Sequence, residues 1–233
     1  ATRSRTVSAT ALAAAAATRS GDRMAGPGTG GDAGLAKAPR NLDLPAWQKG
    51  RYGTAVGRAV HGVLQSCDLE TGRDIDAGAA AQAAAEGILG REQLVARLTR
   101  SALASPTVAA AVQRRHWREL FVAAPVGERL LEGYIDLLYE SDDGLVIVDY
   151  KTDAVTDAAD LATKVDRYGV QAGAYALAVE AATGIDVVRA VLVFLTEAEP
   201  TDVVVPDLAA ARQRAAAMTA EIGLGTTDPD GDA

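Results

Sequence analysis

The chain has 233 residues, a formal net charge of −8, 48% apolar residues and only 4% aromatic ones. That length holds one generous domain or one domain with extensions, and an apolar share dominated by alanine implies helices packed closely on small side chains. No run of roughly eighteen uncharged apolar residues occurs, so nothing in it spans a membrane, and a lone cysteine, Cys67, excludes an internal disulfide, a zinc knuckle or an iron–sulfur cluster and fits a reducing cytoplasm.

Residues 1–45 read as an upstream extension and linker. Ala11 to Ala17 is too short and too weakly apolar for a signal peptide and follows no initiator Met. Its helical pattern is expected to belong partly to something upstream in a longer protein. The Gly/Pro stretch Ala25 to Gly34 contains GTGGDAG, which lacks the preceding strand and the lysine–hydroxyl pair of a phosphate loop and reads as a flexible linker. A folded domain is expected over 46–222. Thr54 can cap a helix whose apolar face is Val56, Val60, Val63 and Leu64, and Cys67 continues that pattern as a small core residue. Helical patterns follow at 77–87, 91–101 and 106–115, the last starting at Pro106 after Ser105.

The period then switches to two. Residues 118–124, 130–140 and 144–150 read as strands, the second and third joined in a hairpin by the acidic turn Ser141-Asp142-Asp143-Gly144. A long helix from Asp157 to Ala182 ends at Gly184. An apolar strand over 187–195, an edge strand from Asp202 to Val205 and a helix over 206–222 come next, and 223–233 read as a solvated tail. The order predicts an α/β core with an added N-terminal helical layer.

Asp149 and Lys151 stand two apart on one strand, so both side chains leave the same face near its end. Asp136 lies across the hairpin, where both carboxylates can reach one metal ion, and two acidic oxygens suit Mg²⁺ or Mn²⁺. The ammonium of Lys151 can hold a phosphate or an attacking water. An aspartate and a lysine at this spacing also describe an ordinary strand end. Asp136 weighs against that, because it interrupts an apolar strand between Ile135 and Leu137, where a carboxylate is costly unless paired or metal-bound.

His61 sits off its helix's apolar stripe, with Gly53 and Gly57 on its own face, leaving room for a metal site or a nucleic-acid backbone. An ordinary surface or core histidine is the alternative. Gln171 and Tyr175 share one face of the long helix, with Tyr168 a turn earlier, either beside a site or half-buried against the sheet. Glu119 points to the same region or pairs with Arg115 and Arg118 at the surface.

Taken in order, GTAVGRAVH (53–61), RELFVAAP (118–125), LEGYIDLLYE (131–140), LVIVDYKTD (145–153) and YGVQAGAYALAV (168–179) resemble the RecB-like branch of the PD-(D/E)XK nucleases, found at the C-terminus of helicase–nucleases of the RecB, AddA or UvrD type. The resemblance implies a mixed central sheet flanked by helices. It implies His61, Asp136, Asp149 and the main-chain carbonyl of Tyr150 as metal ligands and Lys151 as the catalytic lysine. Gln171 and Tyr175 would support the site and the DNA strand, and Glu119 matches a recurrent acidic position. The expected activity is Mg²⁺- or Mn²⁺-dependent hydrolysis of DNA, single-stranded or at ends, in end processing, recombination or repair. With one cysteine the chain cannot carry the iron–sulfur cluster of some relatives. No G-x-x-x-x-G-K-[ST] occurs, so this chain binds no nucleotide and a helicase domain or subunit is expected from elsewhere.

The acidic balance runs against free-standing DNA binding, which is normally basic. Acids in the tail (Asp228, Asp230, Asp232) and carboxylates gathered for metal account for part of it. Two rival readings are a catalytically silent nuclease-fold module that binds DNA or a helicase partner, and an unrelated α/β hydrolase or small-molecule binder sharing the Asp–Lys spacing by chance. Intact Asp136, Asp149 and Lys151 oppose the first, and His61 with Gln171 and Tyr175 oppose the second.

Overall fold

A computed structural model of the chain describes residues 6–19 and 54–221. In chain order the elements are β1 (Thr6–Ser8), α1 (Ala9–Arg19), α2 (Ala55–Ser66), α3 (Ile75–Ala85), α4 (Glu92–Ala104) and α5 (Pro106–Val112), then β2 (His116–Val126), β3 (Arg129–Ser141) and β4 (Gly144–Lys151), followed by α6 (Ala158–Thr183), β5 (Val187–Phe194), β6 (Thr201–Val204) and α7 (Leu208–Glu221). The caps expected from sequence form: Thr54 accepts from Gly57 N–H, Ser105 from Val108 N–H ahead of Pro106, and Gly184 closes α6 in a left-handed conformation.

Helices lie on both faces of one mixed, six-stranded sheet. The middle strands are apolar on both sides, as strands covered by helices must be. On β4, Leu145 and Ile147 join the core under α1, α6 and α7, whereas Val146, Val148 and Tyr150 join the core under α2 to α5. The second group of helices is the N-terminal layer that the sequence predicts.

β3 organises the sheet. Along one edge it pairs antiparallel with β2 over its full length. Its other edge is divided: β1 runs parallel to Leu130–Glu132, and β4 runs antiparallel from Leu137 onward. Gly133 to Asp136 fall between these two partners, so β4 parts from β3 at Asp136. At that point both β2 and β3 change phase. Arg118 and Glu119 both reach toward α2, between Trp117 and Leu120 on the α6 side, and Asp136 and Leu137 lie together between Ile135 and Leu138 in the same way. Glu119 adopts φ 48°, the left-handed region, which costs a non-glycine residue roughly 1–2 kcal/mol.

One boundary differs from the sequence reading. Residues 1–45 are expected outside the folded unit, but within them β1 adds a strand to the sheet, and Val7 and Leu12 are buried in the core against α6. A three-residue strand and an alanine helix carry too little hydrophobic periodicity to announce their packing. The Gly/Pro stretch, Gly53 and the 223–233 tail lie outside the described residues.

Helices α6 and α7 approach closely at Gly173, where a Cβ would lie 2.3 Å from the backbone of Ala211. Backbone cannot swing away as a side chain can. Gly173→Ala is therefore expected to destabilise the fold by about 1–3 kcal/mol, read as a lower urea midpoint at unchanged slope. An unaltered midpoint would show that the two helices do not pack this tightly.

Candidate active site

Asp136 occupies the gap where β3 and β4 part. Its Oδ2 accepts the Tyr150 N–H at 2.7 Å, taking the place of a ladder carbonyl. Its Oδ1 lies 3.0 Å from Nδ1 of His61, delivered by α2. The imidazole also lies 3.8 Å from Glu119 Oε1, so the left-handed turn of Glu119 brings a second carboxylate to the cluster. Single ligand atoms of His61, Glu119 and Asp136 all fall within 4.8 Å of one another, a spacing that could hold a metal ion. Arg118 and Arg115 turn elsewhere, to the Leu64 and Cys67 carbonyls and to Glu140, so Glu119 belongs to the site and not to a surface pair.

Gly57 stands close to the site for a different reason from the one the sequence suggests. A Cβ there would meet Thr152 Oγ1 at 2.9 Å, so the glycine lets α2 pack on the end of β4.

Asp149 and Lys151 leave β4 on the side of α6. Lys151 Nζ is 2.5 Å from Asp149 Oδ2 and donates to Gln171 Oε1 at 3.0 Å. Although the ion pair is that close, Asp149 Oδ2 is buried without a well-angled hydrogen bond. The amide of Gln171 donates in turn to the Tyr175 hydroxyl and to Thr10 of α1. Nζ also sits 4.0 Å from the ring centre of Tyr168, whose hydroxyl donates to Asp153 and accepts from Arg167. The lysine is thus fixed from three directions. Sequence reasoning names Gln171, Tyr175 and Tyr168; it misses Thr10 and Arg167, whose only signal is the fold that assembles them, and gives no role to Asp153 although the motif LVIVDYKTD ends on it.

The electrostatics follow from burial and opposed charges. Burial works against a charge on His61, but Asp136 and Glu119 outweigh it and raise its pKa from 6.5 to about 10. Burial also disfavours charge on Asp136, yet the imidazolium, Lys151 and the Tyr150 N–H hold its carboxyl below the usual value. Asp149 goes the other way. Burial pushes it up to about 7, with Asp136 adding to the rise and Lys151 opposing it.

The donors fit a hard divalent cation. They comprise carboxylate oxygens on two strands, an imidazole and a buried carboxylate oxygen that lacks a hydrogen bond.

A family model described as the PD-(D/E)XK nuclease superfamily matches residues 37–230. The chain belongs to that superfamily. Its mixed sheet with helices on both faces is the nuclease fold. Two curated relatives are named as subunits of an ATP-dependent helicase/nuclease. That of Desulforudis audaxviator (strain MP104C) is 36% identical over 150 residues, covering 54% of this chain and 12% of the relative. That of Alkaliphilus metalliredigens (strain QYMF) is 49% identical over 55 residues, covering 24% of this chain and 4% of the relative. The chain therefore spans only a small part of the curated relatives it matches. A solved structure, "Crystal structure of SSO0001", aligns with 59% of this chain and 70% of its own at 15% identity and a TM-score of 0.32.

The charge pattern predicts how metal-free stability varies with pH. His61 titrates near 10 folded and near 6.5 unfolded, so its stabilisation is complete below pH 6.5 and is lost as pH rises through about 10. Asp149, raised to about 7, removes its own share between its ordinary value and about 7 and adds no slope above that. Between about pH 7 and about pH 9 the melting temperature of metal-free protein should fall by on the order of 5 °C, and His61→Asn should flatten the fall. An equal fall in the variant would place the titrating group elsewhere.

Proposed function

We propose that this chain is the nuclease part of a helicase–nuclease and hydrolyses phosphodiester bonds in DNA, presented as single strands or ends, during end processing, recombination or repair. His61, Asp136, Asp149 and the main-chain carbonyl of Tyr150 would hold Mg²⁺ or Mn²⁺, with Glu119 alongside. The observation that carries this reading is the convergence at one opening of the sheet of Asp136, facing His61, and the fixed pair Asp149–Lys151. The names of the two relatives support a helicase supplied by another part of the protein or by a partner.

Hydrolysis adds water across one P–O bond and leaves a phosphate on one fragment and a hydroxyl on the other. A bound divalent ion supplies positive charge beside the phosphate and makes water more acidic. The chain's own residues do the positioning. Lys151 presents a point charge whose direction is set by Asp149, Gln171 and the Tyr168 ring, so little reorganisation is needed as charge builds on the phosphate oxygens. Gln171 links that lysine to α1 and Tyr175, and the burial of Asp149 and Lys151 reduces the solvent screening of the charge the lysine presents.

Lys151→Ala should slow single-turnover cleavage of single-stranded DNA by about a hundred- to a thousandfold while keeping its metal, because an ammonium is not a ligand. DNA affinity in Ca²⁺ should change far less, one phosphate contact being a small part of the whole. Arginine should rescue little, since its planar fork does not replace a point charge. Equal losses of rate and affinity would reduce Lys151 to a binding residue. Asp136→Ala and Asp149→Ala should each abolish Mg²⁺-dependent cleavage in a folded protein, and near wild-type cleavage by either would remove that residue from the site.

A further inference from the structure

Among the described residues, the exposed large apolar side chains are Leu89, Phe121, Tyr134, Ile185, Val188 and Val204. Only two are aromatic. Phe121 and Tyr134 are cross-strand partners on β2 and β3, 50% and 38% exposed, with ring centres 5.1 Å apart. Each stands two residues from a member of the metal cluster, Phe121 from Glu119 and Tyr134 from Asp136, or about 7 Å along the strand.

They also lie on the face of the sheet that carries the His61–Glu119–Asp136 cluster, opposite the side on which Lys151 leaves β4. The neighbours of Tyr134 point the other way: Ile135 is in the core under α6, and a Cβ on Gly133 would strike Tyr175 of α6 at 2.6 Å. Tyr134 and Phe121 therefore face the side from which His61 reaches Asp136. An aromatic cross-strand pair stabilises a sheet wherever it is placed, which explains the pairing but not the location or the exposure.

We propose that Phe121 and Tyr134 form a stacking platform for a nucleobase of a single DNA strand, next to the phosphate held beside Asp136. This rests on the nuclease reading and names the form of its substrate. Bases of a duplex are stacked on each other and hidden, whereas an unpaired base offers a π-face to any ring, whatever its sequence. The platform is continuous with Glu119 and Asp136 along β2 and β3. The next outward positions on that face, Ala123 and Glu132, bring neither ring nor cation, so the platform serves a single step.

The test uses the full chain in Ca²⁺, with binding of a labelled single strand followed by anisotropy and folding checked by thermal melting. Phe121→Ala and Tyr134→Ala should each weaken binding about fivefold to a hundredfold, the range for loss of one stacked base. Tyr134→Phe should bind as wild type. A strand with one abasic position next to the scissile bond should bind wild type as weakly as the intact strand binds the variants, and the variants should lose nothing more on it. With Mg²⁺ the variants should show raised KM at nearly unchanged kcat. Variants that bind the intact strand as tightly as wild type would overturn the platform alone. So would variants that lose the same factor again on the abasic strand, or variants whose only change is stability, which would make the rings a structural pair or a protein contact. Failure of wild type to bind DNA would overturn the nuclease reading and the platform together.

Discussion

A carboxylate inside a sheet has to be satisfied, and the way Asp136 is satisfied sets the rest of the site. Removing a carboxylate from water costs several kcal/mol unless hydrogen bonds and charge replace what is lost. Asp136 meets that demand by accepting the Tyr150 N–H with one oxygen and the His61 ring with the other. The first contact is possible only because β4 leaves β3 there, so that a backbone donor is free to turn to a side chain. The second ties the N-terminal helical layer to the sheet through α2. One residue therefore joins three elements and keeps open the gap that a substrate needs.

The lysine arm is built on the opposite principle. Lys151 and Asp149 share a strand and a face, and a mutual ion pair alone would leave the ammonium free to swing. Gln171, the Tyr168 ring and, at one remove, Thr10 limit that freedom, and all of them sit on helices. Helices hold such groups more firmly than loops do. Burial pushes the Asp149 carboxyl up to about 7, so its negative charge is held there at a cost. A divalent ion bound there would favour the charged form of Asp149.

Much of the site is legible from residue spacing because its core is local: a hairpin brings Asp136 against Asp149 and Lys151, and one helical turn brings Gln171 against Tyr175. The α/β order and the caps at Thr54, Ser105 and Gly184 are legible for the same reason. What spacing hides is non-local or conformational. The docking of α1, which brings Thr10 to Gln171, joins residues 161 positions apart. Glu119 is visible as an acid in a strand, but simple alternation does not foresee that a left-handed φ turns both it and Arg118 toward α2. Gly57 is legible as a place of close approach, though spacing alone does not say that Thr152 fills the space.

The acidic balance of the chain is compatible with nuclease work once the roles of its acids are separated. Among the described residues, Glu86, Asp76, Glu197, Asp166 and Glu180 are each paired with an arginine, so a good part of the negative charge is already matched by neighbouring positive charge. Glu119, Asp136 and Asp149 gather at the candidate site, where a bound divalent cation would reverse the sign of the field. Such a chain gains little affinity from long-range attraction to a phosphate backbone, the term that makes most DNA-binding proteins basic. On the proposed function, its hold on a strand would come from contacts made at the site itself, a bound cation and the fixed ammonium of Lys151 above all.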